Sequence, residues 1–159
     1  MKHRIVALTL FIIALGTLAG VQGVAPSTVE GYQTDARRYI AARTKADTAA
    51  PFSGAVFAGN TLYLAGEIGT DANYKVPDTA EAEAKAVLDK VQARLTAAGL
   101  SMDDLVSVQI FCSDVKHYDA FNAVYRTYFT REYPARAFIG AGTLLYGARF
   151  EVQGIAVKR

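Results

Sequence analysis

Two charged side chains fall where the sequence otherwise reads as buried strand. Arg136 follows Pro134 at the head of the apolar run AFIGAG, and Glu151 lies inside RFEVQGIAV. A guanidinium offers a planar fork of donors that matches a carboxylate through two hydrogen bonds. A carboxylate held on a strand suits the positioning and deprotonation of a water molecule. Together the pair would hold an acid and bring water against it. Each residue also has an ordinary reading. Arg136 would serve as an edge-strand charge or as half of an ion pair with Glu151, and Glu151 as a solvated strand residue.

Other chemistries have little to build on. Cys112 is the single cysteine, so no intramolecular disulfide is possible, and its place in the alternating run LVSVQIFC reads as core. The histidines are His3 and His117, the latter at the expected start of a helix. That supply gives no support to a metal site or to Cys–His catalysis. No glycine-rich phosphate loop and no G-x-S-x-G elbow occurs, and no cofactor is expected.

The charge balance points away from nucleic acid. The 159 residues carry 17 basic and 15 acidic side chains. Lys2 and Arg4 supply the surplus, and without them the two counts are level. Both residues belong to a basic start, MKHR, followed by an apolar run from Ile5 to Gly20 and small residues to Gly23. This is the pattern of a secretory signal peptide, residues 1–23, and it predicts a secreted or periplasmic protein with no membrane association once the leader is cut. A retained anchor is the alternative, although the run is short for a span of about 20 residues. The remaining chain, roughly 136 residues, is long enough to bury about two thirds of its unfolded surface.

The elements that must position Arg136 and Glu151 follow from periodicity. Residues 24–50 form a polar extension without a clear period, with a turn of helix expected from Arg37 to Arg43. The domain, 51–159, opens with two strands around Gly59-Asn60, the second running from Leu62 to Ile68 and apolar enough for burial on both faces. TAEAEAKAVLDKVQARLTAAGL is an amphipathic helix with Ala84, Val87, Leu88, Val91, Leu95 and Ala98 on one stripe. Asp78 or Thr79 caps its start, Glu81 and Glu83 favour its first turns, a Glu81–Lys85 pair lies on its wet face, and Gly99 ends it. In LVSVQIFC the residues Val106, Val108, Ile110 and Cys112 share a face. HYDAFNAVYRTYF is a second helix with an aromatic stripe of Tyr118, Phe121, Tyr125, Tyr128 and Phe129. A hairpin closes the chain, with strands Ala137–Thr143 and Arg149–Val157 around LLYGA. On the last strand Phe150, Val152, Gly154 and Ala156 face one way, and Glu151, Gln153, Ile155 and Val157 the other. The result is an α+β domain with two helices on one face of a mixed sheet, whose other face is apolar enough to predict an oligomer.

The segment 51–159 also resembles the RidA/YjgF family, known too as endoribonuclease L-PSP. The resemblance rests on PFSGAVFAGNTLYLAGEIG, AAGLSMDDLVSVQIFCSD, FNAVYRTYF, PARAFIG and FEVQGIAVKR in that order. It implies a chorismate-mutase-like fold and a homotrimer with its sheets inward, its helices outward and its active sites in clefts between subunits. Arg136 stands at the arginine of the P-A-R motif, which binds a substrate carboxylate in deaminating members. Glu151 stands at the glutamate that orients the attacking water. Asn122 matches the asparagine of N-x-x-Y, with Tyr125 following, and Gly66 matches the glycine of S-G-Q.

Four positions depart from the family pattern. Ala65-Gly66-Glu67 replaces S-G-Q, Phe52 stands where many deaminases have tyrosine, Phe138 where they have cysteine, and Leu145 where proline is common. The expected site is Glu151 as the catalytic group, with Arg136, Phe138, Phe52, Gly66 and Asn122 binding substrate. The implied activity is cofactor-independent hydrolysis of 2-imino or enamine acids to 2-oxo acids and ammonium. The alternatives are a periplasmic trimer that binds a small carboxylate without chemistry, and a ribonuclease, which the level charge disfavours.

Overall fold

A computed structural model of the chain describes residues 37–41 and 50–159. The expected leader and most of the extension lie outside the described residues. Among the described residues no helix is long and apolar enough to cross a membrane.

Seven strands form one mixed sheet. They are β1 (Arg38–Ala41), β2 (Ser53–Ala58), β3 (Thr61–Leu64), β4 (Glu67–Ile68), β5 (Leu105–Cys112), β6 (Ala135–Gly140) and β7 (Phe150–Val157). The path across it is β1-β2-β3-β7-β5-β6, with β4 also paired to β7. The helices α1 (Ala80–Ala97) and α2 (Tyr118–Tyr125) pack on one face.

The expected hairpin at Gly59-Asn60 forms, with Ala58 opposite Thr61 and Gly59 in the left-handed region. The helix α1 forms as its stripe predicts. Thr79 is the cap, its hydroxyl accepting from the Ala82 N–H at 3.1 Å, and Gly99 ends the helix at a φ of 80°. Val87, Leu88, Val91 and Leu95 are buried on the sheet, each contributing about 1.5–3 kcal/mol. Cys112 is fully buried, and burial raises its thiol pKa, as befits a core residue.

Several expectations need correction. Arg38–Ala41 is an edge strand paired antiparallel to β2, not a turn of helix, because that edge supplies backbone partners for Tyr39 and Ile40. The strand expected from Leu62 to Ile68 breaks into β3 and β4. Its pairing with β7 slips by one residue between Tyr63–Ile155 and Glu67–Val152, so Ala65-Gly66 forms a bulge. Within the chain this segment is not buried on both faces, since Leu62 and Leu64 are buried while Tyr63 is 49% exposed. A second bulge, near Val106, turns that side chain outward and buries Leu105 instead.

The closing hairpin is absent. β6 begins at Ala135 and runs parallel to β5, with α2 as the crossover between them, and β7 lies on the other side of β5. The stretch 141–149 is therefore a longer connection that carries the chain past β5. On α1, Lys85 pairs with Asp89 at 2.7 Å rather than with Glu81. Glu83 is fully buried. Its carboxylate accepts from the N–H groups of Arg149 and Phe150 at 2.6 and 3.0 Å and from the Arg149 guanidinium at 2.8 Å. Arg149 also donates to the carbonyls of Pro77 and Asp78. This cluster pins the start of β7, the strand that carries Glu151.

Candidate functional site

Arg136 is the second residue of β6, directly across from the buried Val108 of β5. That register places it on the helix side of the sheet. Its guanidinium lies 4.7 Å from the centre of the Tyr125 ring and 5.8 Å from that of Tyr118. Stacking on the two rings holds the guanidinium without using its N–H groups. A cavity of about 290 Å³ opens there, with Asn122, Arg126, Tyr133 and Pro134 completing its walls.

The helix supplies this wall through one stripe. Tyr118, Asn122 and Tyr125 are spaced i, i+4, i+7 and share a face. Asn122 is 5% exposed. The Tyr125 ring is 3% exposed, and its hydroxyl is buried with no hydrogen-bond partner among the described residues. Burial pushes the Tyr125 pKa up to about 12, against the opposing pull of Arg136. The hydroxyl is therefore a neutral donor at physiological pH. Phe138, two residues beyond Arg136 on the same face, packs edge-on against Tyr118 at 5.0 Å and Phe121 at 5.7 Å. It closes the space beside the arginine with aromatic carbon.

Glu151 occupies a different place. It sits between Phe150 and Val152, which are buried in the core, so its side chain points to the face away from the helices. Burial raises its carboxyl pKa. Gly66 lies against it: a Cβ at residue 66 would overlap the Glu151 carboxylate. The bulge at Ala65-Gly66 is what brings this backbone so close, and α1 fixes the bulge from behind. Arg94 donates to Glu67 through Nε at 3.0 Å and Nη2 at 2.6 Å, and Lys90 donates to the Ile68 carbonyl at 2.8 Å. The Ala65 N–H donates to Gly54 O at 3.0 Å, which brings the start of β2 alongside. Phe52, just before that start, is 53% exposed.

Arg136, Asn122 and Phe138 are thus brought together on the helix side, and Glu151 and Gly66 on the open side. The structure does not unite the two groups. Glu151 is in register with Phe111 and Ile139, three residues along from the level of Arg136 and two strands away. From standard strand spacings their Cα atoms are roughly 14 Å apart. The ion pair between them, open on sequence grounds, is not formed. Sequence reasoning also missed Tyr118, Arg126 and Tyr133 as cavity residues. The available signal is the i, i+4, i+7 spacing that sets polar Asn122, an expected site residue, between Tyr118 and Tyr125.

Three comparisons bear on what such a site does. The family model described as Endoribonuclease L-PSP matches residues 41–158. A goat (Capra hircus) protein named 2-iminobutanoate/2-iminopropanoate deaminase is 33% identical over 124 residues, covering 77% of this chain and 90% of its own. Among solved structures, the YjgF gene product of E. coli is 30% identical, with a TM-score of 0.66 over 76% of this chain and 94% of its own. E. coli TdcF with bound serine is 26% identical, with a TM-score of 0.65 over 69% and 89% of the respective chains.

Proposed function

The chain belongs to the endoribonuclease L-PSP (RidA/YjgF) family, and from that premise we propose that it hydrolyses 2-imino acids to 2-oxo acids and ammonium. The observation that carries this reading is Arg136. It is held by ring stacking in a cavity, and among the described residues no carboxylate is paired with it. A cation so placed and left uncompensated suits a ligand carboxylate. The serine bound to TdcF and the goat protein's name are consistent with a small amino or imino acid as that ligand.

Arg136 would grip the carboxylate through two N–H donors and fix the imine carbon beside it. Glu151, desolvated and with no side-chain hydrogen-bond partner among the described residues, would take a proton from water as the oxygen attacks that carbon. With the imine nitrogen protonated, that proton would pass to the nitrogen, and the remaining hydroxyl proton would follow it as the carbonyl forms and the carbon–nitrogen bond breaks, leaving ammonium and the 2-oxo acid.

Strand β5 and the thickness of the sheet separate these residues within one chain, so the site needs Arg136 from one copy and Glu151 from another. We infer a homotrimer whose subunits meet through the open faces of their sheets. Tyr39, Tyr63, Ile139 and Val157 are all on that face and all more than a third exposed, an apolar surface that association would cover. The test generates 2-imino acids with an amino-acid oxidase and follows 2-oxo acid release. Faster release with the protein, lost in Arg136→Ala, is expected. Release at the buffer rate from both would overturn the reading.

A further inference from the structure

Three of the six arginines between residues 51 and 159 hold a carboxylate. Arg94 is paired with Glu67, Arg149 with Glu83 and Arg159 with Asp104. Arg126 and Arg136 line one cavity, and neither has a carboxylate partner among the described residues. Arg136 is accounted for by a single carboxylate. Arg126 is not.

Arg126 caps the C-terminus of α2, where a cation is favoured in its own right. That position and its exposure to water account for an arginine here, and what they leave to explain is its place on the same cavity as Arg136. An anion spanning the cavity would meet both guanidinium groups. The polar groups beside them point the same way. The Tyr125 hydroxyl is a buried donor without an acceptor among the described residues, and Asn122, also buried, lines the same cavity. The cavity is therefore rich in donors and in positive charge, and no Asp or Glu is among its lining residues.

Resting on the imine-hydrolysis reading, we propose that this site selects 2-imino acids bearing a second carboxylate. Arg136 takes the carboxylate beside the imine carbon, and Arg126 takes the one at the far end of the side chain. Four- and five-carbon dicarboxylic 2-imino acids are the proposed substrate class. A neutral short-chain imino acid would leave Arg126 without a partner.

The test measures binding of the corresponding products by calorimetry on the full chain, with 2-oxoglutarate and oxaloacetate set against 2-oxobutanoate. The diacids are expected to bind about tenfold tighter, the value of one charge-assisted contact. The preference should shrink as salt is raised. In Arg126→Gln the ratio of diacid to monoacid affinity should fall to about one; a general loss of binding would lower both affinities and leave the ratio. Equal affinities in the unaltered protein, or a preference that survives Arg126→Gln, would overturn the proposal. If 2-oxobutanoate binds in an Arg136-dependent way without any diacid preference, the second carboxylate is excluded while the imine-hydrolysis reading stands. If no 2-oxo acid binds, both fall.

Discussion

Arg136 and Glu151 lie on opposite faces of one sheet, with β5 between their strands. Arg136 is in register with buried Val108 on the helix side, and Glu151 with Phe111 on the open side. One chain therefore presents two separate groups of residues. The helix-side group holds the Arg136 guanidinium against Tyr125 in a cavity, and the open-side group holds a desolvated carboxyl against a glycine bulge.

Gly66→Ala should silence the Glu151 group alone. The added methyl meets the carboxylate and forces it, or the bulge, to move. Overpacking of this kind costs about 1–3 kcal/mol in stability. Turnover should fall at least tenfold while 2-oxo acid binding, which depends on Arg136, persists. Calorimetry beside the imine assay checks the split; equal losses in both would count against it.

Tyr125→Phe should make the free protein more stable and its ligand weaker. The hydroxyl is buried without a partner in the described chain, a condition that costs about 1–3 kcal/mol. Its removal relieves that cost, so Tm should rise. A ligand that accepts from the hydroxyl loses a contact, so 2-oxo acid affinity should drop. Thermal denaturation with and without ligand reads both signs. A lowered Tm in the free protein would mean that the hydroxyl has a structural partner.

Glu83→Ala should be the most damaging single change away from the cavity. It leaves the Arg149 guanidinium and the N–H groups of Arg149 and Phe150 without their shared acceptor. Breaking a buried pair of this type costs about 3–5 kcal/mol, and Tm should fall by about 10 °C or more. Scanning calorimetry checks this; a change of a degree or two would show that the cluster is dispensable.

Glu151→Gln should abolish turnover and raise stability in a pH-dependent way. Burial raises the native carboxyl pKa above its unfolded value. The carboxyl group's contribution to stability is then fully present below the ordinary glutamate range near 4.3 and is lost as pH rises through the native value. Glutamine suffers no such loss. The Tm advantage of the variant should be nil near pH 4 and largest at neutral pH. An advantage independent of pH would contradict the assignment of desolvation as the cause.

Much of this architecture is legible in the sequence because it is local. The helix α1 declares itself through Thr79, its apolar stripe and Gly99, all within a few turns. The alternation in FEVQGIAV correctly puts Glu151 opposite to Phe150 and Val152. What is not legible is what depends on distant partners. Whether β6 pairs with β5 or β7 is decided by the crossover through α2, not by the residues of PARAFIG, so the face of Arg136 and its separation from Glu151 stay hidden. Glu83 looks like an ordinary first-turn acid because its partner, Arg149, lies 66 residues away. The bulge at Gly66 is concealed for the same reason, since it shows only as a slip against β7.

If a working site takes Arg136 from one chain and Glu151 from another, two inactive chains must complement each other. Arg136→Ala and Glu151→Gln chains, each inactive alone, can be unfolded together in equal amounts, refolded and assayed for imine hydrolysis. Random assembly in a symmetric oligomer gives about one quarter of the interfaces an intact arginine from one chain and an intact glutamate from its neighbour. Recovery of activity toward that fraction is the predicted result. A mixture as inactive as its two components, with mixed oligomers confirmed by mass, would contradict the claim.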